Sequence, residues 1–120
     1  MADADDLRAI ALSLPGVAEY PHFERRAFKA RVTFATLAPD GVTANIKFSP
    51  DEQALKCVVA ADAFAPIPNA WGRRGWTVAT LAALTQAELR VAIETAWRHA
   101  QPKPANVSAP RADSPSRRRK

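Results

Sequence analysis

Apolar positions recur along this chain with two different periods, and the change of period marks its elements. Over residues 3 to 14, Leu7, Ile10, Ala11 and Leu14 fall at i, i+3, i+4 and i+7, one face of a helix. Asp3, Asp5 and Asp6 sit at its start, where the helix dipole favours anions, and Pro15-Gly16 stops it. "AEYPHF", 18 to 23, is short, aromatic and interrupted by a proline, which fits an edge strand. In "AFKARVTFATL" the period becomes two: Phe28, Ala30, Val32 and Phe34 alternate with Lys29, Arg31 and Thr33. The phase slips at Ala35-Thr36-Leu37, where a bulge or bend is expected. "PDG" at 39 to 41 is a turn, after which Val42, Ala44, Ile46 and Phe48 alternate with Thr43, Asn45 and Lys47. These two runs predict an antiparallel hairpin.

The helical period then returns. Ser49 and Glu52 form a capping box, with Pro50 at the first helical position. Leu55, Val58 and Val59 predict a buried stripe, with Cys57 beside it as a small buried hydrophobe. "FAPIPN", 64 to 69, is extended, because Pro66 and Pro68 hold their neighbours out of the helical region. "GWTVATL" follows as a strand in which Trp76, Val78 and Thr80 share one face. In the last helix Thr85 and Glu88 form a second capping box, and Leu84 and Leu89 a hydrophobic staple. Leu89, Ala92, Ile93, Ala96, Trp97 and Ala100 make its apolar face, and Pro102 ends it.

Charge changes this picture only at one end. The net charge is +5 over 120 residues, but residues 101 to 120 carry six cations against the single anion Asp113. Residues 1 to 100 carry eleven of each sign and are neutral. The basic excess therefore belongs to "QPKPANVSAPRADSPSRRRK", which has four prolines, no aromatic residue and one large aliphatic, Val107. Such a segment buries too little apolar surface to offset its ordering entropy. The expected organisation is one folded domain over 1–101 and a disordered basic tail over 102–120. No apolar run approaches a membrane span, the acidic start does not read as a signal peptide, and Cys57 has no partner for a disulfide. A cytoplasmic monomer is expected.

With these elements in place, the chain resembles the MmcQ/YjbR family of small bacterial proteins. The resemblance rests on "LSLPGVAEYPHF", "AFKARVTFATL", "NIKFSPDE" and "GRRGWTVATL", followed by a helix ending in "AWRHA". It implies a two-layer α+β domain: an antiparallel sheet of about five strands with helices on one face. The order is helix, three strands, helix, two strands, helix, similar in outline to secretion-chaperone-like domains. It also implies DNA binding, the label commonly given to members. Where many members carry a Gly-Lys hairpin turn, Arg31-Val32-Thr33 runs through without glycine. That leaves either a tighter hairpin or one bent strand.

Little in the sequence points to catalysis. Cys57 lacks a base, His22 lies in an aromatic strand, and His99 is a helix C-terminal cation. "GRRG" is not a phosphate loop, and no spacing points to a metal. No enzyme and no cofactor are expected. Binding finds more support. If the apolar phase of the hairpin faces the helices, Lys29, Arg31, Thr33, Thr43, Asn45 and Lys47 share the open face, with three cations and no anion. Lys and Arg suit phosphates, and Asn can bond base edges. The same six residues also suit a solvated face whose charges discourage edge pairing. Trp71, Arg73 and Arg74 form a second candidate contact in the glycine-flanked loop. Arg117, Arg118, Arg119 and Lys120 add generic affinity for polyanions. The leading expectation is a non-enzymatic nucleic-acid-binding module. The alternative is a protein-interaction or small-ligand adaptor that uses the Trp71 loop.

Overall fold

The structure, a computed structural model, describes residues 1–101, and the expected tail lies outside them. The elements are α1 (Ala4–Ser13), β1 (Ala18–His22), β2 (Arg25–Lys29), β3 (Thr33–Leu37), β4 (Thr43–Lys47), α2 (Pro50–Val59), β5 (Phe64–Pro66), α3 (Ala70–Arg73), β6 (Trp76–Thr80), a 3-10 turn (Leu81–Ala83) and α4 (Gln86–His99). Six strands form one antiparallel sheet in the order β1-β2-β3-β4-β6-β5. α1 and α4 pack against each other, and α4 lies across β3 and β4. Phe28, Phe34, Ile46 and Phe48 from the sheet side meet Leu7, Leu89 and Ile93 from the helices in a single core. This is the expected α+β architecture.

The helix starts follow local chemistry. Ser49 with Glu52 and Thr85 with Glu88 form reciprocal capping boxes, and Asp3 with Asp6 forms a third. The hairpin joining β3 and β4 closes with Gly41 at φ +72° and the Val42 amide donating to Asp40 Oδ1.

Three expectations need correction. The run 27–37 is two strands, so four strands precede α2. The chain reverses at Ala30-Arg31-Val32 without glycine or proline. Its turn is held from outside: the Arg31 amide donates to the Ala100 carbonyl at the end of α4. A bulge also shifts the register between Phe28 and Lys29. Alternation alone cannot reveal a reversal whose stabilising partner lies about seventy residues away in the sequence.

The second correction is α2, which sits with its expected stripe outward. Leu55, Val58 and Val59 are 63%, 80% and 75% exposed. The inward side is polar: the Gln53 amide donates to the carbonyls of Gly72 and Trp76 and to Thr77 Oγ1. Lys56 places its ammonium 5.1 Å from the Phe48 ring and 5.7 Å from the Phe64 ring. Glu52 Oε1 lies 2.8 Å from His99 Nε2 and ties α2 to the end of α4. Third, Cys57 is half-buried rather than fully enclosed, and burial pushes its thiol pKa up.

"GRRG" is held by its glycines. A Cβ at Gly72 would lie 1.7 Å from the Ile67 carbonyl oxygen. One at Gly75, where φ is +107°, would lie 1.8 Å from that of Phe48. Gly75→Ala should therefore destabilise the fold by about 3 kcal/mol or more. Gly16→Ala, which meets no neighbour but also has positive φ, should cost about 1 kcal/mol. Urea unfolding of both variants checks the ranking; equal losses would refute the packing account.

Glu19, 9% exposed, accepts from Arg8 Nε at 2.8 Å and Arg26 Nε at 2.7 Å. Burial alone would raise its pKa, but the two arginine hydrogen bonds outweigh burial and hold it below its ordinary value of 4.5. A carboxylate depressed by folding stabilises the native state above its unfolded pKa, and that contribution is lost as pH falls through the folded value. Glu19→Gln should thus be less stable than the parent at neutral pH and show a shallower loss on acidification below 4.5. Parallel slopes in unfolding series across that range would contradict it.

Candidate nucleic-acid interface

Register decides which side chains meet on the face away from the helices. Tyr20 opposes Ala27, Ala27 opposes Thr36, Thr36 opposes Asn45, and Asn45 opposes Val78. Directly paired residues share a face, so this row crosses five strands on the open side. One row away on one side His22 opposes Arg25, and one row away on the other Lys47 opposes Trp76.

A concavity of about 310 Å³ lies on this face, lined by His22, Arg25, Thr36, Asn45, Ile67, Asn69, Trp71 and Trp76. Strands build its floor. The short α3 builds one bank: Asn69 caps it, its Oδ1 accepting from the Trp71 amide at 2.8 Å, which raises Trp71 to 56% exposure. The guanidinium carbon of Arg74 lies 5.5 Å from the Trp71 ring centre. The β1–β2 turn builds the other bank, where His22 and Phe23 stack edge to face at 4.8 Å.

Arg25 is the half-buried cation of the cleft. Its Nε donates to Thr36 Oγ1 at 2.8 Å and a terminal nitrogen to the Thr36 carbonyl at 3.3 Å. Burial lowers its pKa, and Asp40 in the neighbouring turn opposes that. The guanidinium stays charged and keeps further N–H groups for an acceptor. Asn45 is half-buried and makes no side-chain hydrogen bond among the described residues. No carboxylate lines the cleft.

The expected residues divide. Lys29 lies on the open face, exposed, with its ammonium 5.7 Å from the Tyr20 ring. Asn45 lies in the cleft and Trp71 and Arg74 at its bank. Lys47 and Arg31 border a second depression of about 250 Å³, together with Trp76 and His99. Arg31 reaches it from the turn, not from the strand phase assumed for it. Trp76 lines both depressions and so joins them. Arg73 faces a separate groove with Gln53 and Pro66. Arg117, Arg118, Arg119 and Lys120 lie outside the described residues.

Sequence reasoning did not assign His22, Arg25, Thr36 and Asn69 to the site, and it read Trp76 only as fold. Thr36 lies directly opposite Asn45, which the strand register reveals and parity along one strand does not. Among the described residues no cluster of His, Cys, Asp and Glu could hold a metal, and no helix is long and apolar enough to cross a membrane.

An open antiparallel sheet with one helical layer and a cleft on the bare face defines the class. The YjbR family model matches residues 12–99, and the chain belongs to that family. Its fold is similar to the crystal structure of Deinococcus radiodurans protein DR2400, a DUF419-domain protein. The TM-score is 0.71 at 20% identity, covering 86% of this chain and 81% of that one. No curated protein matches the chain.

Proposed function

We propose that the bare sheet face binds nucleic acid and that the protein is a non-enzymatic, monomeric cytoplasmic module. The observation that carries this reading is a carboxylate-free cleft with a charged arginine and an unengaged asparagine on its floor. Lys29, Lys47 and Arg74 stand around it. Residues 1 to 100 are neutral in sum, so this is a matter of placement. Helices α1, α2 and α4 with their caps carry seven anions, Asp3, Asp5, Asp6, Asp51, Glu52, Glu88 and Glu94, against four cations, Arg8, Lys56, Arg90 and Arg98. A neutral domain polarised in this way orients a polyanion toward its sheet. The family resemblance runs in the same direction.

A second reading has its own support. Leu55, Val58, Val59 and the 56% exposed Val91 make an apolar surface around a groove between α2 and α4. Exposed aliphatic surface of this kind is a mark of protein contact. It lies on the helical side and does not compete with the sheet.

The test is titration of a labelled oligonucleotide over a range of salt concentrations. The proteins are the full chain, a chain ending at Gln101, and Lys29, Lys47 and Arg74 changed together to Ala in each. Each phosphate contact contributes roughly 0.7 to 0.9 to the log-log salt slope. The triple variant should flatten the slope by about 2 to 3 units in both lengths. If truncation alone abolishes binding and the triple variant matches its parent, the sheet is not the binding surface.

A further inference from the structure

Resting on the reading above, we propose that the ligand of the cleft is the unpaired nucleobase of a single strand. Two features point there.

The first is the shape of the site. Duplex DNA shows its base edges only inside grooves, and its readers push a helix or ribbon into them. Here the group able to read a base edge, Asn45, lies on the floor of a depression. An intact duplex would rest on the raised banks. A base that leaves its stack can enter, and it finds indole faces and amide groups together. Arg74 occupies one side of the Trp71 indole, and the remaining ring surface borders the cleft.

The second is Phe23. Its side chain is 94% exposed and its φ is +58°, a left-handed value that favours glycine. It stands in the two-residue turn between β1 and β2. Exposure and backbone strain together oppose a large aromatic here, and an edge-to-face contact with the exposed His22 ring is a small return for them. Tyr20, His22 and Phe23 are linked edge to face at 6.3 and 4.8 Å, a row of rings facing Trp71 across the sheet. From β1 to β6 is four strand spacings, about 19 Å. Sheets of similar width in RNA-recognition domains stack about two or three bases. Phe23 and Trp71 then serve as the outer stacking platforms, with Arg25 and Lys29 along the backbone path.

The test compares oligo(dT), oligo(U) and a DNA hairpin of equal charge whose strands are joined by a non-nucleotide linker, so that no base is unpaired, against the full chain, read by tryptophan fluorescence and by anisotropy. Single strands should quench fluorescence and bind at least about tenfold tighter than the hairpin. Trp71→Ala should weaken single-strand binding by about 5- to 150-fold. Phe23→Gly should weaken it while raising the thermal midpoint, because it relieves strain; a purely structural role would move both the same way. Phe23→Tyr should retain binding. The oligo(dT) and oligo(U) arms tell DNA from RNA. If the hairpin binds as tightly as single strands, and the Phe23 and Trp71 variants match the parent, the unpaired-base proposal is overturned while the sheet-face reading stands. If changing Lys29, Lys47 and Arg74 leaves binding of every probe unaltered, both fall.

Discussion

The helical layer covers only one side of the sheet, and that constraint sets what the other side can be. Ile46 and Ala44 on β4, and Thr77 and Ala79 on β6, are fully buried. Their neighbours Thr43, Asn45, Lys47, Trp76, Val78 and Thr80 are half-buried. A strand offers its side chains alternately, so sealing one set against the helical layer obliges the other to face outward. A slip of one residue would exchange the two sets, and the apolar set would then lie on the bare face. The site is thus the complement of the core. It needs only a bank on either side to become a cleft.

The banks come from local departures from regularity. At one, two glycines let the α3 loop approach the backbone at Ile67 and Phe48 closely, and Trp71 is lifted above β6. At the other, the β1–β2 turn carries a strained phenylalanine where a glycine would be at ease. Both banks carry aromatic rings, and between them Arg25, Thr36 and Asn45 bring polar groups to the floor beside the Trp76 indole. The contrast with the helical side is strong. There the polar flank of α2 is engaged with the sheet and its neighbours through Gln53, Lys56 and Glu52, and its aliphatic flank is free.

Much of this was legible in the sequence. The alternation at 42–48 gave β4 its correct face from Ala44 onward, and the Ser49 and Thr85 boxes located two helix starts, whereas Trp76, expected to pack as part of the fold, lies on the open face while Thr77 and Ala79 are buried. Asn45, Lys29 and Trp71 could be placed toward the open side from parity and loop position alone. What stayed hidden depends on partners distant in the chain. The turn at Arg31 leans on Ala100, so an unbroken alternation concealed a reversal. The apolar stripe of α2 pointed to burial, but Gln53 finds three partners between Gly72 and Thr77 and turns the helix the other way. Arg25 and Thr36 become site residues only through strand register, which periodicity does not supply.

The sheet-face assignment is tested most directly by amide and indole chemical-shift mapping of the full chain during titration with oligo(dT). The assignment predicts that the amides of Thr36, Asn45 and Val78 and the indoles of Trp71 and Trp76 shift together, while those of Leu55, Val58 and Val59 stay in place. Shifts confined to the outer flank of α2, or to residues beyond Gln101, with the sheet unmoved, would contradict it.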